Sequence, residues 1–261
     1  ITGYTVEKNC ADSGWSPATT TSGATSATVT SLTNGVSCDF RVSATNSVGT
    51  GDPSDTDTVT PAAVPGKPTG LSATPGNQQV ELSWTEPADN GSSITGYTVT
   101  VSPSHGTCTP SATSCTVDGL TNGTLYTFTV VATNSNGDSP ASDSVTATPA
   151  AEPDKPSDLS ATPGNQQVEL SWTAPADNGS SITGYTVTAG PGGATCTTAS
   201  TSCTVDGLTN GTLYTFTVVA TNSNGDSPAS DSVTATPAAE PDKPSDLSAT
   251  PGNQQVELSW T

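Results

Sequence analysis

The segment GNQQVELSWT occurs three times in this 261-residue chain, closing at Thr85, Thr173 and Thr261. Trp84, Trp172 and Trp260 therefore stand 88 residues apart, as do Lys67, Lys155 and Lys243, and the same step relates Tyr126 to Tyr214. Between residues 67–149 and 155–237 eleven positions differ, and eight of them fall in one window, 101–112 against 189–200. Residues 113–149 recur unchanged at 201–237. Solenoid repeats have periods of ~20–50 residues, so a period of 88 is that of a whole domain. The chain is an array, and whatever one period folds into, its neighbour must fold into as well.

Inside one period the pattern is that of strands. Residues 79–85 (QVELSWT) alternate apolar and polar side chains, as a half-buried strand does. The other expected strands are 70–76 (GLSATPG), 94–102 (ITGYTVTVS), a short one around Cys108, 114–120 (SCTVDGL), 124–134 (TLYTFTVVATN) and 141–149 (ASDSVTATP). A turn-rich EPADNGSS fills 86–93. About seven strands with turn signals every ~8–12 residues make the pattern of an antiparallel sandwich. Tyr126, Phe128 and Val130 share one face and Thr127 and Thr129 the other, while Tyr97, Val99 and Val101 point inward together. The Val-Thr alternation and the poverty in Leu, Lys, Gln and Arg agree with an all-β chain.

Charge removes several classes of function. Twenty-four acidic residues face only Lys8, Arg41, Lys67, Lys155 and Lys243, for a formal charge of −19. No basic cluster exists to neutralise phosphates, so nucleic-acid binding is not expected, and an anionic membrane surface would repel the chain. No window approaches the ~18 apolar residues of a spanning helix, so membrane insertion is not expected either. There is no Met and no signal peptide, which reads as a mature or excised piece. One histidine, His105, precludes a histidine-based triad in every repeat, since Gly193 replaces it in the next. Asp118, Asp138 and Asp143 read as solvated residues of turns and strand exteriors. Catalysis is not expected, nor is a resident cofactor. The Cys-x6-Cys spacing near His105 lacks the paired CxxC of a zinc site.

Several spaced motifs resemble fibronectin type III domains, in the versions common in secreted bacterial proteins. They are the Trp of the second strand, ITGYTV on the third, GLTNGTLYTFTVVATNSNGDS on the sixth and SVTATP at the end. The resemblance covers essentially the whole chain. It implies strands A, B and E in one sheet and C, C′, F and G in the other. It also makes Tyr126 and Tyr214 corner tyrosines whose hydroxyls bond backbone upstream. Aligned on it, the chain reads as a partial domain at 1–64 (strands C to G), complete domains at 65–152 and 153–239, and a partial domain at 240–261 (strands A and B). Neither partial domain closes a sandwich alone. A head-to-tail continuation is expected, as a longer covalent array in preference to complementation between copies.

Six cysteines fall two per domain, which fits disulfides formed in an oxidising, extracellular compartment. Cys108 with Cys115, and Cys196 with Cys203, would each close the crossover from C′ to E. In the first domain Cys38 stands where Tyr126 stands in the second, and strands C and F are neighbours in this fold. A bond from Cys10 to Cys38 is therefore expected in place of the corner tyrosine. Asn90, Asn122, Asn178 and Asn210 open N-G-S or N-G-T glycosylation sequons, although Asn-Gly is a turn dipeptide on its own account. Glu152, Asp154 and Asp158 near one junction, with Asp89 or Asp177 in adjacent loops, could take a calcium ion, but acidic linkers commonly hold none. Trp84, Trp172 and Trp260 read as core anchors; Trp15, in CADSGWSPATT, could be exposed. The Pro-rich linkers PAAVPGKP and PAAEPDKP predict semi-rigid spacing.

The expected function is structural: a non-catalytic stalk, spacer or filament array of a surface or adhesive protein. Its partners would be neighbouring copies or further repeats, with surface polysaccharide or other surface proteins as additional contacts. The alternative is a spacer or binding module within a secreted polysaccharide-degrading enzyme.

Overall fold

The computed structural model describes every residue except His105, so the expectation concerning that histidine lies outside the described residues. Its regular structure is all β-strand. The chain divides into two compact units, Ile1–Pro149 and Ala150–Thr261.

In the first unit, residues 65–149 form a two-sheet sandwich. One sheet orders Thr69–Gly76, Gln79–Thr85 and Ser114–Asp118; the other sets Gly96–Ser102, Val145–Ala147 and Gly137–Asp138 around Tyr126–Asn134. This is the A-B-E against C-F-G arrangement that the resemblance implies. Period-2 alternation decides which residues fill the space between the sheets. Val80, Leu82 and Trp84 come from one sheet, and Tyr97, Val99, Val101, Phe128 and Val130 from the other, all buried. The Val99↔Val130 pairing fixes the register, and a one-residue slip would turn that whole row to solvent.

The last strand is shorter than 141–149, reaching only Val145–Ala147. Pro140 has no N–H to give a ladder, and serine hydroxyls stand in for the missing pairing. Ala132 N–H donates to Ser139 Oγ (2.9 Å) and Val130 N–H to Ser142 Oγ (3.0 Å), both serines being buried.

Residues 1–64 form one four-stranded sheet, ordered Ser16–Thr21, Gly3–Cys10, Cys38–Thr45, Asp57–Val59. The expected strand E is not formed. Residues 26–32 (SATVTSL) match 114–120 (SCTVDGL) in pattern, yet they make no strand. In the 65–149 domain Ser114–Asp118 pairs with Gln79–Thr85, and residues 1–64 hold no such partner. Residues 24–29 lie instead over the inner face, leaving a cleft of about 320 Å³ against Tyr4, Val6, Phe40 and Val42.

The second unit repeats the sandwich over 150–237 with the same buried set, Val168, Leu170, Trp172, Tyr185, Val187, Phe216 and Val218. One edge differs. The segment around Cys108 makes a single bridge, Val99↔Cys108, whereas Thr195–Thr198 is a four-residue strand. Pro110 occupies the place of Thr198 and cannot donate to the ladder.

Ser248–Gly252 and Gln255–Ser259 form a hairpin in which Val256, Leu258 and Trp260 are 59%, 53% and 60% exposed. Trp260 is therefore not a core anchor, although Trp84 and Trp172, in identical surroundings of sequence, are 6% exposed. Burial of this row requires a facing sheet, and among the described residues none covers the hairpin. Hydroxyls of Thr261 and Ser245 donate to the Asp246 carboxylate and hold it below its usual range. A lowered folded value stabilises above the unfolded one and is lost as pH falls, so acid weakens this closure.

Candidate functional site

The most constructed feature outside the cores is the seat of each linker. In the strand Tyr126–Asn134 the inward phase runs Tyr126, Phe128, Val130, Ala132 and then Asn134. A buried amide must find partners, and Asn134, 4% exposed, does so at the linker. Its Nδ2 donates to the carbonyl of Ala63 (2.8 Å) and to those of Asp89 and Ser92 (3.1 Å each) in the loop between the second and third strands. Asn136 N–H donates to its Oδ1 at 2.8 Å. The linker is gripped further along. Ala63 N–H donates to Asn90 O, Asn90 Nδ2 to Val64 O, and Gly66 N–H to Ala88 O, while Pro65 and Pro68 are buried.

The second unit carries the same seat for its own linker. Asn222 Nδ2 donates to Ala151 O (2.8 Å), Ala151 N–H to Asn178 O, Asn178 Nδ2 to Glu152 O, and Asp154 N–H to Ala176 O. Asn134 and Asn222 were not singled out from sequence. The signal was present, since each is a polar residue continuing an inward-facing row.

The predicted site residues are distributed as follows. Cys10 and Cys38, on directly opposed strand positions, form a disulfide. Cys108 is bonded to Cys115 and Cys196 to Cys203. Cys108 lies opposite Val99 in one sheet and Cys115 opposite Leu82 in the other, so each short crossover bond ties the two sheets together. The backbone N–H of Thr121 donates to Tyr126 Oη (3.2 Å) and that of Thr209 to Tyr214 Oη (3.1 Å).

All four sequon asparagines spend their amides within the fold. Asn122 Nδ2 donates to Asn77 Oδ1 and Asn210 Nδ2 to Asn165 Oδ1, while their Oδ1 atoms accept from Gln78 and Gln166 N–H. Asn90 and Asn178 grip the linkers. A glycosylated amide keeps one N–H, so a glycan would cost a bond at Asn178, whose Nδ2 donates to both Glu152 O and Asp154 Oδ1.

The acids are similarly committed. Asp89 and Asp177 accept from Gly91 and Gly179 N–H, Asp154 from Asn178, and Asp158 from Ser157. Asp138 accepts from Thr133, and Asp143 pairs with Lys67. Asp118 is exposed. Among the described residues no three metal-capable side chains gather.

Trp15 is half-buried, with the Arg41 guanidinium 4.1 Å above its ring and Glu7 2.8 Å from Arg41 Nε. Arg41 stands where Thr129 stands in the next repeat, so this stack belongs to the first domain. Trp84 meets Tyr97 edge-on at 5.3 Å, and burial, then the Glu86 charge, pushes the Tyr97 phenol up. Among the described residues no group accepts from the buried indole N–H of Trp84 or Trp172.

Two sheets ordered A-B-E and C-F-G, corner tyrosines and a period of one domain define a tandem β-sandwich protein of the immunoglobulin-like class. The fibronectin type III domain family matches residues 66–148 and 154–236, and the chain belongs to it. Among curated proteins it is 38% identical over 208 residues to chitinase A1 of Niallia circulans, covering 75% of this chain and 28% of that protein. It is 36% identical over 176 residues to exoglucanase B of Cellulomonas fimi, covering 63% and 16%. Against fibronectin type-III domain-containing protein 3a of Gallus gallus it is 30% identical over 254 residues, covering 89% and 21%. The chain spans less than a third of the length of each of these relatives.

Proposed function

We propose that this chain is an extracellular, non-catalytic spacer whose task is to hold what it joins at a fixed separation. The observation that carries the reading is the linker seat, present in both units and built on a buried asparagine. A chain selected only for length would leave its linkers solvated. Here the linker's amides and carbonyls are bonded into the domain that follows. Three disulfides support an oxidising compartment, and a charge of −19 keeps a repetitive surface soluble and self-repelling. Its partners are further repeats of the same kind, with surface polysaccharide or surface proteins as secondary contacts.

A second reading places the spacer within a secreted polysaccharide-degrading enzyme. It is favoured by the likeness to proteins named as a chitinase and an exoglucanase. Flanking gene sequence that encodes a catalytic domain would select it; an anchor or more repeats would select a surface stalk.

Hydrogen exchange tests the seat on which both readings rest. The amides of Ala63, Gly66, Ala151 and Asp154 are expected to exchange on the timescale of strand amides, because each donates to a carbonyl of the following domain. Exchange at the rate of an unstructured peptide would remove the reading.

A further inference from the structure

We infer that the first domain and the second meet through a glycine-on-glycine stop, Gly35 against Gly91, which fixes the angle of a one-residue hinge at Ala62. The inference deepens the spacer reading and rests on it.

The hinge follows from where each linker atom is bonded. Pro61 O accepts from Gly35 N–H (2.9 Å), so the linker up to Pro61 belongs to residues 1–64. From Ala63 onward the seat built by Asn90 and Asn134 holds it to the following domain. Ala62 lies between the two sets and is exposed. Rotation about its φ and ψ is the freedom left to the joint, and such terminal positions are where hinges form.

The stop follows from backbone contact. The turn at Asn34–Gly35 in the first domain meets the turn at Asn90–Gly91 in the second. A Cβ built on Gly91 would stand 2.6 Å from Gly35 N, 2.6 Å from Pro61 O and 2.8 Å from Gly35 Cα. All three are backbone atoms, so no side chain can swing aside. In the opposite direction the fit is looser. A Cβ on Gly35 would meet Gly91 N at 3.4 Å and its Cα at 3.5 Å, which is ordinary contact. Both glycines have positive φ, +79 and +86, so a side chain is strained at either position. Steric blockage is confined to Gly91. The pole of the second domain is thus a docking surface for one kind of partner, a side-chain-free Asn-Gly turn of the preceding domain. Contact through backbone alone has no rotamers to adjust, and so it fixes an angle.

Residual dipolar couplings of the whole chain test this. In the wild type one alignment tensor is expected to fit residues 1–64 and 65–149 together. Gly91→Ala is expected to abolish the common fit while each domain still fits its own tensor. Gly35→Ala carries the same positive-φ strain without the close approach and is expected to keep the common tensor. Gly211→Ala, at φ +78 with nothing within 4 Å, measures local strain alone, and its effect on the melt is to be matched by Gly91→Ala. A common tensor surviving Gly91→Ala would overturn the stop and leave the spacer reading standing, as would equal loss in Gly35→Ala. Separate tensors in the wild type would overturn both.

Discussion

Replacing Asn134 by Ala is expected to destabilise the 65–149 domain by about 2–4 kcal/mol and to loosen the linker at 63–66. The side chain's two amide hydrogens serve three carbonyls, those of Ala63, Asp89 and Ser92, and its Oδ1 takes one backbone N–H. Each bond contributes only ~0.5–1.5 kcal/mol net. The larger cost is that the carbonyls of the half-buried Ala63 and Ser92 lose their donor. For a domain of this size the change corresponds to a melting point lower by ~10–20 °C. Asn46 supplies the comparison. It holds the equivalent position in the first domain but is exposed, and it accepts only from Val48 and Gly49 N–H. Asn46→Ala is expected to change stability by no more than about 0.5 kcal/mol. Calorimetry that finds the two variants alike would mean that the buried amide holds nothing of consequence.

The second large effect is expected in the first domain on removal of Cys10–Cys38 by paired Cys→Ser substitution. The cysteines are separated by 28 residues, against 7 for Cys108–Cys115. In the chain-entropy account these loops are worth about 3.6 and about 2.5 kcal/mol. The difference in consequence is greater than the difference in energy. The 65–149 domain keeps a two-sheet core when its bond is removed. Residues 1–64 have one sheet, with residues 24–29 over its inner face and no second sheet among the described residues, so the loss is expected to unfold them. Limited trypsin digestion reports this locally. Lys67, Lys155 and Lys243 each precede proline and resist cleavage, which leaves Lys8 and Arg41 as the productive sites. Both lie in paired strands, Gly3–Cys10 and Cys38–Thr45. The expected result is rapid cutting at Arg41 in the double variant and resistance in the wild type. Resistance in both would show that the sheet stands without its staple.

Alternation within one period made most of the strands and their faces legible in sequence. It is a local property, and QVELSWT can alternate in only one way. The Cys10–Cys38 pair was legible because opposition of two strands is set by the fold. What alternation could not supply was the presence of a facing partner. Trp260 shares its flanking sequence with Trp84 and yet is exposed, and residues 26–32 share the pattern of 114–120 and yet form no strand. In both cases the deciding atoms lie far along the chain. The linker seat was half legible: Asn134 continues an inward row, but that its donors reach Ala63 is a matter of tertiary geometry. The approach of Gly91 to Gly35 left no local mark at all, since Asn-Gly is an ordinary turn wherever it falls. Serine in place of ladder partners at 139 and 142 was hidden for the same reason, with Pro140 as the one visible sign.

The central claim is that each linker is part of the domain it precedes. Backbone 15N relaxation at Ala63, Val64 and Gly66, and at Ala151, Glu152 and Asp154, measures this directly. Order parameters near ~0.85, level with strands such as Tyr126–Asn134, are the predicted result. Values below ~0.6 in either linker would contradict the account.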